Sequence, residues 1–112
     1  MLDPTRALAL LAGVWGGRRP AADVSDAVAL LLDPLGRREV LRSGGDVAGW
    51  RADDGGVVAA PGSLLGADGR LAEVRFWWCR GAEAREVVVG FAPDGSVTVG
   101  GGRVARREGV AP

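Results

Sequence analysis

Between residues 70 and 100, apolar side chains recur at every second position in three runs separated by turn-forming residues. Val74, Phe76 and Trp78 make the first run, Val87, Val89 and Phe91 the second, Val97 and Val99 the third. A period of two belongs to strands that bury one face, and a helix cannot satisfy it. The spacing predicts strands over Arg70 to Arg80, Arg85 to Ala92 and Ser96 to Gly100, paired as an antiparallel meander. Taken as a four-residue loop, Gly81-Ala82-Glu83-Ala84 sets Arg80 opposite Arg85, Trp78 opposite Val87, Phe76 opposite Val89 and Val74 opposite Phe91. Pro93-Asp94-Gly95 suits a three-residue loop, which puts Val97 opposite Phe91 and Val99 opposite Val89. Both turns keep the same side chains on one face, so that face is the expected main core.

The N-terminal third carries the other periodicity. Asp3 suits an N-cap and Pro4 the first helical position. Leu8, Leu11, Ala12 and Trp15 then share one helical face, and Gly16-Gly17 stops the run. A second helix is expected from Asp23 or Ser25, with Val28, Leu31 and Leu32 inward. Asp33-Pro34 repeats the start signal, so a short third helix, or a kinked continuation, is expected from Pro34 to about Arg42, ending at Gly44-Gly45. Val47 to Ala52 and Val57 to Ala60 read as strands flanking the turn Asp53-Asp54-Gly55-Gly56. The expected fold is α+β: two or three N-terminal helices packed on one face of an antiparallel meander sheet of about five strands. A chain of 112 residues supports one compact domain. That domain is placed at residues 1–102, with 103–112 as a basic tail that adds at most a short edge strand near Arg103 to Arg106.

The chain has no His, Lys, Tyr, Asn, Gln or Ile, and Arg is its only basic side chain. This alphabet fits a GC-rich bacterial genome. It leaves no imidazole to shuttle protons, no amine for a Schiff base and no phenol for acid–base work. A Ser-His-Asp or Cys-His site cannot be built. Cys79 is the sole cysteine, which excludes an internal disulfide and a thiolate zinc site. Its place in an apolar strand reads as a small buried hydrophobe. No metal and no cofactor are expected.

Lys and Arg together match Asp and Glu at fourteen each, so no overall basic footprint for nucleic acid exists. The doublets Arg18-Arg19, Arg37-Arg38 and Arg106-Arg107 would bind phosphates only if the fold segregated charge. The apolar run Ala7 to Trp15 lacks the basic leader and cleavage site of a signal peptide, and no run approaches the ~20 residues of a membrane span. A cytoplasmic location without membrane contact is the expectation.

Few motifs remain. No Gly-rich stretch has the spacing of a phosphate loop, and Asp46, Asp53 and Asp54 lack calcium-loop spacing and read as turn residues. Gly13-Val14-Trp15 resembles the Gly-x-Trp signature near the start of the lipocalins. The resemblance covers three residues and implies a ligand-holding barrel. Here a helical stretch surrounds the Trp, and the chain is short for eight strands.

The second face of the meander carries Glu73, Arg75, Trp77, Cys79, Glu86, Val88 and Gly90. It reads as a solvated face, as a partner surface, or as a face covered by the first two strands or a helix. Trp77, Arg75, Val88, Glu73 and Glu86 are the candidate partner-binding residues, with Trp77 as the contact centre. The expected function is a small non-catalytic interaction module that binds a protein partner or a second copy of itself. The alternative is a small-molecule pocket of cystatin-like or lipocalin-like type, in which Glu73 and Glu86 supply carboxylate chemistry tuned by Arg75. The missing side-chain types weigh against an enzyme.

Overall fold

The structure is a computed structural model that describes Arg6, residues 21–94 and residues 96–107. The helix expected over Asp3 to Gly17 lies outside the described residues, Arg6 aside. Helix α1 spans Ala21–Leu32. Val24 and Val28, one turn apart, are both buried, and Leu31 and Leu32 pack at the margin of the same core.

The Asp33-Pro34 pair stops a helix rather than starting one. Pro34 restricts the residue before it and offers no N–H, so the chain turns: the Gly36 N–H donates to the Asp33 carbonyl at 3.0 Å, and Gly36 has φ +66°. The expected third helix over Pro34 to Arg42 is therefore replaced by strand β1, Glu39–Val40, laid against the end of the longest expected strand. Gly44-Gly45, expected to end a helix, instead begins the one-turn helix α2, Gly44–Val47. Ser43 caps it, its hydroxyl accepting from the Asp46 N–H at 3.2 Å, while the Asp46 carboxylate accepts from the Arg42 N–H at 3.0 Å.

Strands β2 (Trp50–Ala52), β3 (Gly62–Leu65), β4 (Leu71–Arg80), β5 (Glu83–Phe91) and β6 (Val97–Arg107) complete an antiparallel sheet of six strands. The order is β1-β4-β5-β6-β2, with β3 beside the first half of β4. The expected hairpin across Asp53 to Gly56 does not form. Residues 57–60 are not a strand, and β2 pairs with the end of β6, Ala52 facing Ala105. Residues 103–107 belong to this last strand, and residues 108–112 lie outside the described residues.

The β4–β5 turn is tighter than expected. Arg80 faces Glu83 across the two-residue loop Gly81-Ala82, and Gly81 has the positive φ that the first central position of such a turn requires. Trp78 therefore faces Arg85, Phe76 faces Val87 and Val74 faces Val89. The slip is two residues, one full strand period, so every side chain keeps its expected face. The β5–β6 register is as read from the sequence, with Phe91 facing Val97 and Val89 facing Val99.

Both faces of the sheet are covered. On the first, Val24 and Val28 of α1 pack on Leu71, Val74, Phe76, Trp78, Val87 and Val89. On the second, Leu41, Trp50, Ala52 and Val58 close over Trp77, Cys79, Ala84 and Ala105. The second cover spans only half the sheet. Beyond it Arg75 and Thr98 are exposed, and Val88 and Gly90 are half-buried. Among the described residues, no helix is long and apolar enough to cross a membrane.

Candidate functional site

The five residues singled out on the second face lie in adjacent rungs of one ladder. Glu73 faces Gly90, Arg75 faces Val88 and Trp77 faces Glu86. Gly90, which the expected four-residue loop would set opposite Arg75, is thus one rung away. Their exposure also differs from a flat contact surface. Trp77 is 1% exposed and Glu86 7%. Trp77 is no free contact centre, because the chain from Leu41 to Val58 folds across its ring. Arg75 remains exposed, and Glu73 and Val88 are half-buried.

A defect in β6 completes the cluster. Arg85 pairs with Val104, but Val87 pairs with Gly101, so Gly102 and Arg103 together face Glu86 alone. This is a β-bulge, and its extra residue reverses the side-chain alternation along β6. Without it, Arg103 would share the helix face with Val97 and Val99. With it, Arg103 lies over the Trp77 ring, its guanidinium carbon 5.3 Å from the ring centroid. Gly101 and Gly102 adopt φ +129° and +147° to make the bulge.

Arg103 bridges two carboxylates. Its Nε donates to Asp54 Oδ2 at 2.9 Å and its Nη2 to Asp54 Oδ1 at 3.3 Å, a two-pronged pair. Its Nη1 reaches Glu86 Oε2 at 3.3 Å. Arg75 approaches the same oxygen, Nη1 at 4.0 Å, and holds Glu73 Oε2 at 3.6 Å with its other nitrogen. The Arg103 hydrogen bonds, with one from the Gly56 N–H at 2.8 Å, hold the Asp54 carboxyl below its usual range. Asp54 also raises the Arg103 value, ahead of Glu86 among the favourable partners. Arg103 belongs first to Asp54, which leaves Glu86 with one long charge-assisted bond.

Val57, Ala59 and Ala60, leading into Gly62 of β3 beside Arg75, form a wall next to this cluster, and a cavity of about 240 Å³ is lined by that wall and by Arg75, Trp77, Glu86 and Arg103. A larger cavity, about 430 Å³, lies between β1, α2 and β2, against Cys79. Its charged groups, Glu39, Asp46 and Arg107, are all exposed. Burial pushes the Cys79 thiol up, and the nearby Glu39 carboxylate adds to this, so the sulfur stays protonated at neutral pH. The smaller cavity is the one backed by a buried charge, which makes it the candidate site.

Among the described residues, no group of three or more His, Cys, Asp or Glu could hold a metal ion. Asp46, Asp53 and Asp54 serve a helix cap, an ion pair with Arg106 and the Arg103 clasp respectively. Arg103, Asp54 and the wall from Val57 to Gly62 are absent from the sequence-derived site. The signal for Arg103 was present: three glycines in a row before it, inside an alternating strand, mark a bulge. Nothing local tied Asp54 to a residue 49 positions later. Comparison with known protein families, with curated proteins and with solved structures finds no match.

Proposed function

We propose that this protein is a small-molecule-binding domain whose pocket lies between the Val57–Gly62 wall and the Trp77–Glu86–Arg103 cluster. The observation that carries this reading is a carboxylate, Glu86, with its side chain 6% exposed, lining a cavity together with Arg103 and Arg75. Holding a charge there costs free energy that a well-packed apolar residue would not. A backbone bulge with unusual glycine conformations aims Arg103 at the same place, and such local distortions concentrate at functional sites. The role is binding rather than turnover: Arg103 already clasps a carboxylate, and the chain has no imidazole or amine to move protons near neutral pH.

The test is protein-observed nitrogen–proton NMR against a fragment library. The expected result is shifts confined to Ala59, Ala60, Gly62 and the Trp77 indole N–H. Fragments that bind only elsewhere would overturn the reading.

A second reading keeps the sheet face as an interface between two copies of the chain. Leu64 is 61% exposed and sits beside Glu73 on the uncovered half of the second face. A two-fold arrangement would set Arg75 of each copy against Glu73 of the other. Sedimentation of wild type and Arg75→Ala separates the readings, because only the interface predicts a concentration-dependent dimer that the substitution weakens by about 2 kcal/mol.

A further inference from the structure

We infer that the pocket's ligand is a small zwitterion of the α-amino-acid class, its ammonium received by Glu86, its carboxylate by Arg75, and its apolar body by the Val57–Gly62 wall. The inference deepens the small-molecule reading and rests on it.

Three observations lead to the ligand's chemistry. The first is the length of the bond at Glu86. An ionised carboxylate offers about four acceptor positions, and the bond this one receives from Arg103 is 3.3 Å long. Arg103 is held more firmly by Asp54, at 2.9 Å, and cannot turn wholly to Glu86. A ligand N–H group would supply the stronger donor. The second is the loose hold on the neighbouring cation. The Arg75 side chain is 50% exposed, and its contacts at 3.6 and 4.0 Å are long ion pairs. Its guanidinium can turn to grip an incoming carboxylate with two nitrogens, a geometry that suits arginine. The third is the charge count. Glu73, Glu86 and Asp54 stand against Arg75 and Arg103, an excess of one negative charge, so the ligand must bring an ammonium as well as the carboxylate that Arg75 receives.

Spacing and size narrow the class. The Glu86 oxygen and the Arg75 nitrogen are 4.0 Å apart, so the ligand's two charged groups must also be neighbours. In an α-amino acid both sit on one carbon. At about 240 Å³ the cavity is smaller than the roughly 300–1,000 Å³ of drug-sized pockets, which favours a single amino acid over a larger metabolite. The wall residues Val57, Ala59 and Ala60 ask for an apolar side chain.

The experiment is calorimetric titration of the full chain with three probes of one shape: L-leucine, isoamylamine and 4-methylpentanoate. Leucine is expected to bind, and each single-charge analogue to bind at least about tenfold more weakly. Glu86→Gln should weaken leucine about tenfold or more while leaving 4-methylpentanoate nearly unchanged. Arg75→Met, at an exposed position, should weaken leucine and spare isoamylamine. An amine that binds as tightly as leucine removes the zwitterion but leaves the pocket. A carboxylate that binds as tightly removes the role of Glu86. If none of the three binds, while fragments shift Ala59, Ala60 and the Trp77 indole, the ligand class is wrong and the pocket stands. If nothing shifts those residues, both fail.

Discussion

A Cβ placed on Gly101 would run into the carbonyl of Glu86, and its φ of +129° is one that L side chains rarely adopt. One residue earlier, a Cβ added to Gly100 would meet nothing within 4 Å, and the backbone there makes no such demand. Gly101→Ala should therefore cost about 2–4 kcal/mol, and Gly100→Ala less than about 1 kcal/mol. Urea melts of the two variants check this. Equal losses would mean that the close approach at Glu86 is not what fixes residue 101.

Asp54 carries a prediction at the same scale. Its folded-state value lies below its unfolded one, so the stability from its clasp on Arg103 is fully present above the ordinary carboxylate range. It is lost as pH falls from about 4 through the lowered folded value. Acid melts should show wild type losing stability faster over that window than Asp54→Asn, which has no proton to gain there. Parallel curves would show that the exposed clasp contributes nothing measurable.

At the scale of elements, the bulge decides which face the end of β6 presents. Downstream of Gly102 the alternation is reversed, so Arg103 and Ala105 point to the second face along with Ala84 and Glu86. Inserting one residue between Gly102 and Arg103 would shift the strand end by one position and turn Arg103 and Ala105 toward the helix face. Ala105 is fully buried, and β2 pairs at this place. The insertion should abolish the second core, lowering the near-ultraviolet circular dichroism of Trp50 and Trp77 and the melting temperature together. An unchanged spectrum would show that the strand tolerates either register. The β4–β5 hairpin shows the complementary case. There the turn is two residues shorter than expected, yet no side chain changes face, because a slip of two is a full period.

At the scale of the molecule, the sheet is a middle layer with one core on each side. Trp78, 8% exposed, lies under the helix side, and Trp77, 1% exposed, under the segment from Leu41 to Val58. Each also carries a stacked arginine, Arg38 on Trp78 at 4.9 Å and Arg103 on Trp77 at 5.3 Å. Trp77→Ala and Trp78→Ala should then each cost about 3–5 kcal/mol in denaturant melts. A large loss for Trp78 with almost none for Trp77 would mean that the second layer is not closed over its ring.

What was legible in the sequence was what depends on neighbours along the chain. Alternation assigned Val74, Phe76 and Trp78 to one face, and Trp77, Glu86 and Val88 to the other, because strand geometry fixes direction from residue to residue. The Pro93-Asp94-Gly95 loop fixed the β5–β6 pairing, since a short turn leaves few registers open. What only the tertiary structure decided was what depends on distant partners. Glu39–Val40 is a strand because β4 offers it an edge, although its local signals suited a helix. Val57 to Ala60 is a wall rather than a strand because β2 pairs with β6 instead. Trp77 is buried because residues 41–58 cross it, and Asp54 meets Arg103 only after the chain has closed a long loop. Local patterns set the faces of the sheet, but the free energy that covers one of them comes from contacts between residues far apart in the chain, and no window of the sequence contains both partners.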